Sequence, residues 1–310
     1  MDLFLDPQLL RLTVTIAAPF IIAAVGELIT ERGGVLNVAI EGQMAVGAAV
    51  GFLVTFSSHS YLLGLAAAMG AAGLMSLALA IYGVTLRGEQ ITAGLGLFVF
   101  GLGFASLLYR ATIGIQLTSP RVDVLPPLPL PGLSALPVLG TILFSQDALV
   151  YFAFALAAVV QLGILWTPLG LRLRACGENP RAADTLGVNV ALMRYGATLL
   201  GGLLIGLAGA YLPLVITGGY SEGMVGGRGW IALMLVILGR WLPFGAVGGA
   251  LLFAYIEALQ FKVALVAKAL PPQFFQMLPY LVAIVVLVRV YRGARAPAAL
   301  ARPYDRELRG

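Results

Sequence analysis

Amides and carboxylates stand in this chain where hydrocarbon is expected. Asn37, Glu41 and Gln43 fall within one apolar stretch, and Glu257 and Gln260 close another. An ionisable side chain in a bilayer is costly and faces a bundle interior or a water-filled path. Such residues therefore line a solute route, relay protons, or bond to backbone freed by a broken helix. Asn37 and Glu41 are four apart and therefore share one helical face. For Glu41, the neighbouring Gly42 makes the tie to a broken helix the leading use, and the solute path the other. Phe98 and Phe100 offer ring faces on which a flat base or sugar could stack; at i and i+2 they do not share a face, so at most one meets a given ligand. Glu27 is expected to snorkel at a membrane edge. Trp166, Trp230 and Trp241 are expected as interface anchors.

Other chemistries lack their residues. No G-x-x-x-x-G-K-[ST] loop is present to cradle phosphates, so the chain is not expected to hydrolyse ATP by itself. The single histidine, His59, sits among Ser57, Ser58 and Ser60 with no second His or Cys to share a metal and no evident acid to complete a triad. Neither a metal, a cofactor nor an enzyme activity is expected.

The elements that must position these groups are membrane spans. Of the 310 residues, 60% are hydrophobic and 11% charged, with a mean hydropathy of +0.97; soluble chains carry about 25% charged residues. A soluble enzyme is excluded. Apolar runs long enough for a bilayer, roughly 17–25 residues, cover Leu9–Ile29, Val35–Phe56, Tyr61–Thr85, Ile91–Tyr109, Ala148–Trp166, Tyr195–Ile216, Gly245–Phe261 and Phe274–Tyr291. Trp230–Leu238, bracketed by Gly229 and Gly239, is too short to cross and reads as a half-helix; the alternative is a span continuing through Arg240 and Trp241. The expected fold is an all-α, polytopic transmembrane bundle of about 8–10 spans, residues 1–294. The net charge of +5 lies between the spans and in a basic tail, 295–310, which suits lipid headgroups and not nucleic acid. Arginines 172, 174, 181 and 194 in one loop, and 289, 292, 295, 302, 306 and 309 at the C-terminus, put both segments in the cytoplasm. Alternation then places 110–147, with its five prolines between Pro126 and Pro137, outside, as a docking surface or a rigid linker. GxxxG spacings at Gly47/Gly51, Gly202/Gly206 and Gly245/Gly249 suit close helix packing.

The cytoplasmic loop, 167–194, carries helix punctuation. Asn179 can cap the first free N–H groups, Pro180 suits the first helical position, and Gly187 can take a left-handed conformation just past the end. A two-turn helix results, placing Cys176 in the loop before it.

The run Glu178-Asn179-Pro180-Arg181-Ala182-Ala183, followed by Gly187-Val188-Asn189-Val190, resembles the coupling loop of the permease family of ABC importers for branched-chain amino acids, ribose and nucleosides. Three further stretches resemble its nucleoside and simple-sugar branch: Glu31 to Gly42, Gly201 to Ala210, and Glu222-Gly223-Met224 leading to Gly227-Arg228-Gly229-Trp230-Ile231-Ala232. The likeness covers about residues 20–290. It implies a permease subunit that pairs with a second permease, usually a different and longer chain. It also implies a bacterial cytoplasmic membrane, with a cytoplasmic ABC ATPase below and an extracytoplasmic substrate-binding lipoprotein above. By that resemblance Glu178, Asn179, Pro180, Arg181, Ala182, Ala183, Leu186 and Gly187 couple to the ATPase, with Ala182, Ala183 and Leu186 entering its groove. Asn37, Glu41, Gln43, Phe98 and Phe100 are the candidates for the substrate pathway; Phe98 stands where many members carry a polar residue. The competing expectation is a self-sufficient, proton-coupled secondary transporter using Glu41 or Glu257 as its relay.

Overall fold

The computed structural model describes residues 6–114, 120–266, 277–291 and 295–305. Helix α1, Pro7–Arg32, starts where the Asp6 side chain accepts the Gln8 N–H at 3.0 Å, with a proline at its first position. It is apolar on every side, and accordingly its residues 16–28 are buried among α6, α9, α10 and α11. Helix α2 is Ile40–Ser58, and α3, Tyr61–Ala80, continues as a π-helical turn to Thr85. Glu89 caps α4, Gln90–Ile113, through the N–H groups of Ile91 and Thr92. After the short α5, Leu139–Leu143, Asp147 caps α6, Ala148–Trp166, in the same manner. Two non-spanning helices follow, α7 (Pro168–Glu178) and α8 (Pro180–Thr185). Helix α9, Val190–Tyr211, widens into a π-helical turn, Leu212–Thr217, at Pro213. The chain ends with α10 (Arg228–Leu238), α11 (Pro243–Val266) and α12 (Leu278–Tyr291).

Among the described residues seven helices are long and apolar enough to cross a membrane: α1, α2, α3 with its turn, α4, α6, α9 with its turn, and α11. Helix α12, 14 residues long, occupies most of the eighth expected span, whose first residues, 274–276, lie outside the described ones. Tail residues Arg292, Arg306 and Arg309 and the side chain of Arg289 also lie outside them.

Helices in lipid gain little from hiding apolar surface from one another, so close backbone contact must bind them. Gly47 of α2 meets Gly206 of α9 so closely that a Cβ there would stand 2.4 Å from the Gly206 carbonyl oxygen. The GxxxG spacings of the first two stretches thus pack α2, α3 and α9 within one chain.

Several expectations are corrected. The second span begins at Ile40, not Val35, because residues 33–39 leave α1 in a turn and double back until the Asn37 N–H reaches the Glu27 carboxylate at 3.1 Å. Asn37 therefore precedes the helix and shares no helical face with Glu41. Glu27 is fully buried instead of lying at an edge. Trp241 is 4% exposed, its indole donating to Glu31, because the chain turns at Arg240 and Trp241 with φ near +54° and +55°. That turn also rules out one span running through α10 into α11. Cys176 lies within α7, fully buried.

The starts of α2 and α10 meet, and the helices run apart from there. The far end of α2 lies with Tyr109 and Tyr220, which cluster on Phe52. The far end of α10 leads to Trp241, whose carbonyl takes two hydrogen bonds from Arg32 at the end of α1. Both helices thus begin inside the bundle.

Candidate functional site

A helix that starts inside a bundle leaves its first N–H groups without partners and the positive end of its dipole exposed. At α10 a carboxylate answers both needs. Glu41, 6% exposed, accepts the Gly227 N–H on one oxygen and the Gly229 N–H on the other, each at 2.7 Å. Gly227 makes the entry possible, since its φ of +85° suits a residue without a Cβ.

The neighbouring amides form a chain. Asn37 accepts the Ala39 N–H at 3.0 Å and donates to Gln43 at 2.8 Å, and Gln43 donates to the Ser76 hydroxyl at 2.9 Å. Both amides are fully buried, so they hold the doubled-back segment to α2 and α3. The backbone N–H of Leu36 is met by another buried amide, Gln90, at 2.9 Å.

Phe98 and Phe100 diverge as their spacing requires. Phe98 meets Trp230 of α10 edge-on at 5.4 Å, whereas Phe100 stacks on Phe104 and is 55% exposed. Trp230 thereby packs beside the half-helix entry.

On the other side of that entry, Arg228 pairs with Glu257 of α11. Gln260 and Tyr280 complete a cavity of about 390 Å³ there. Tyr280 donates to the Gly226 carbonyl at 3.3 Å; Arg228 Nε and Gln260 Oε1 are shielded from solvent and find no hydrogen-bond partner among the described residues. The guanidinium, carboxylate, amide and phenol that line this cavity suit a ligand rich in hydroxyls. The sequence offers Glu257 as a span-end residue or a proton relay and assigns Arg228 no role; an arginine just ahead of one apolar run and a glutamate within another are the signal that pairs them.

A second site surrounds α8. Asn179 accepts the Ala182 N–H at 3.1 Å, Pro180 opens the helix, and Gly187 follows it at φ +83°. Ala182 and Arg181 point outward and Leu186 is 84% exposed. Ala183 differs: it is 1% exposed and packs with Cys176 and Val190 of its own chain. Of the three residues expected in a partner's groove, Ala183 instead anchors α8 to α7 and α9. Burial there also pushes the Cys176 thiol pKa up.

Residues 9–287 match the family of permease components of branched-chain amino acid transport systems. The chain belongs to this family. The permease is 35% identical over 304 residues to the guanosine ABC transporter permease protein NupQ of Bacillus subtilis, covering 94% of each chain. It is 36% identical over 297 residues to the nucleoside ABC transporter permease protein NupC of Lactococcus lactis, covering 91% of this chain and 92% of that one. Its fold is similar to a solved inward-facing structure described as a metal-chelate type ABC transporter. That likeness has a TM-score of 0.52 at 20% identity, over 92% of this chain and 85% of the other. The permease is thus a multi-pass membrane subunit of an ABC transporter, a transport component and not an enzyme. It works with an ATPase and a binding protein.

Proposed function

We propose that this permease forms one half of the path by which a nucleoside or a similar sugar-bearing solute enters the cell. A second, different permease chain forms the other half, and an external lipoprotein delivers the solute. The observation that carries the reading is the polar cavity at the buried start of α10. Discontinuous helices tolerate open backbone only where it is buried in protein or lines a cavity. Arg228, Glu257, Gln260 and Tyr280 line it with donors and acceptors, and a sugar ring supplies hydroxyls. The relatives named for guanosine and nucleosides support the same solute class.

Energy comes from the ATPase through α8, whose exposed Arg181, Ala182 and Leu186 face the cytoplasm together with the tail, while Pro126–Pro137 lies outside. The proton-relay alternative has no free carboxylate of the two it would use: Glu41 is held by two backbone N–H groups and Glu257 by Arg228. The test is uptake of radiolabelled nucleoside by proteoliposomes containing the whole transporter. Uptake is expected only with ATP inside and is abolished by Leu186→Asp at normal expression. Uptake driven by a proton gradient without the ATPase, or unchanged in Leu186→Asp, overturns the reading.

A further inference from the structure

Helix α8 has six residues, too few to hold its shape alone in water. Its buried anchor is the small side chain of Ala183. A second segment makes up the difference. The Ala299 N–H donates to the Gly177 carbonyl at 2.8 Å, and the Ala298 N–H to the Glu178 carboxylate at 3.2 Å, so the tail fastens to the last turn of α7 just before α8. Arg194 of α9, 1% exposed, donates to the Arg302 carbonyl at 2.9 Å. Asp305 pairs with Arg87 in the turn between α3 and α4. Tyr304 packs against the cluster of Cys176, Ala183 and Val190 that seats α8.

We infer that residues 295–305 are a clasp that positions α8 for coupling, with Arg87 and Asp305 as its fastening pair. The clasp braces four neighbouring parts at once: α7, α9, the α3–α4 turn and α8. A push on α8 then reaches α3, α4 and α9 together instead of bending a short loop. Grooves of about 490 Å³ and 580 Å³ flank α8, and Arg87 and Tyr304 line both. An ATPase that receives α8 as a ridge therefore also touches the clasp. Arg87 and Asp305 act as positioning residues, through α8 and not on the solute.

The inference rests on α8 being the helix that engages the ATPase, and the experiment separates the two. The complete transporter in proteoliposomes is compared as native, Arg87→Asp, Asp305→Arg, and the double exchange, alongside Leu186→Asp. Nucleoside uptake and ATP hydrolysis are both measured. Each single change is expected to lower uptake about threefold to fivefold, the scale of one partly exposed ion pair. Hydrolysis persists, so the ATP spent per solute rises. The double exchange is expected to restore both within about twofold. A chain ending at Ala294 is expected to be at least as poorly coupled as the single variants. Normal coupling in the single variants, or a double exchange no better than either, overturns the clasp. If Leu186→Asp uncouples while the exchange series is flat, the clasp alone fails; if Leu186→Asp is also silent, the coupling role of α8 fails with it.

Discussion

The carboxylate of Glu41 closes the start of a helix that begins far along the chain, accepting the Gly229 N–H at 2.7 Å across 188 positions of sequence. Two interrupted helices are joined at their starts by this contact. An acid costly to bury is thereby spent on the positive end of a helix dipole.

Glu41→Gln keeps one acceptor but turns an amide N–H₂ toward a backbone N–H. The loss is expected to be about 1–3 kcal/mol, the cost of a buried charge-assisted bond. Thermal unfolding in detergent should show the lowered stability, and uptake should fall with it. Gly229→Ala should be harsher, because its Cβ would lie 2.5 Å from the Glu41 backbone nitrogen. Wild-type stability of both variants would show that the contact is idle.

Gln260→Leu and Tyr280→Phe are expected to slow maximal uptake while leaving the half-saturating concentration unchanged, since an external binding protein captures the solute first. Removing one hydrogen-bonding group from a path costs about 1–1.5 kcal/mol, or close to tenfold in rate. Transport kinetics of the complete system distinguish this from a folding defect, which lowers the amount of transporter in the membrane. An unchanged maximal rate in both variants would remove this cavity from the path.

Glu222 and Arg110 form a two-pronged ion pair, at 2.6 Å and 2.7 Å, between the end of α4 and the segment leading to α10. Hydrogen bonds from Arg110, then Ser106, hold the Glu222 carboxyl down at about 2 against its ordinary 4.5. A lowered native pKa gives stability that is complete above about 4.5, fades as the pH falls, and vanishes near 2. The melting-temperature gap between native protein and Glu222→Gln should thus be level at neutral pH and narrow below about 4.5. A gap that widens on acidification would contradict the assignment.

Cys176 is the single cysteine and is fully buried, so the folded protein should resist thiol reagents until it is denatured. In a Cys176→Ala background, Leu186→Cys should label from the cytoplasmic side and Pro129→Cys from the outside. Labelling of both from one side would overturn the proposed sidedness.

Much of the architecture was legible because it is written in local terms. Runs of apolar residues mark spans without knowledge of their neighbours, and glycines on both sides of Trp230–Leu238 marked a helix too short to cross. The α8 punctuation at Asn179, Pro180 and Gly187 acts within a few residues and folds as its spacing predicts. What failed was inference from hydropathy about position: Trp241 and Glu27, read as edge residues, are buried because one bonds Glu31 and the other bonds the doubled-back segment.

The sequence by itself determined that the chain is a membrane bundle, where its helices begin and end to within a few residues, and which residues are too costly to bury unpaired. Local hydrophobicity and capping are short-range and need no fold to act. Only the tertiary structure decided which partners the buried polar side chains meet. Glu41 meets Gly229, Arg228 meets Glu257, and Arg87 meets Asp305, each across a separation that no periodicity records. In a bundle, such partners are chosen by which helices lie side by side, and that choice belongs to the packing of the whole chain.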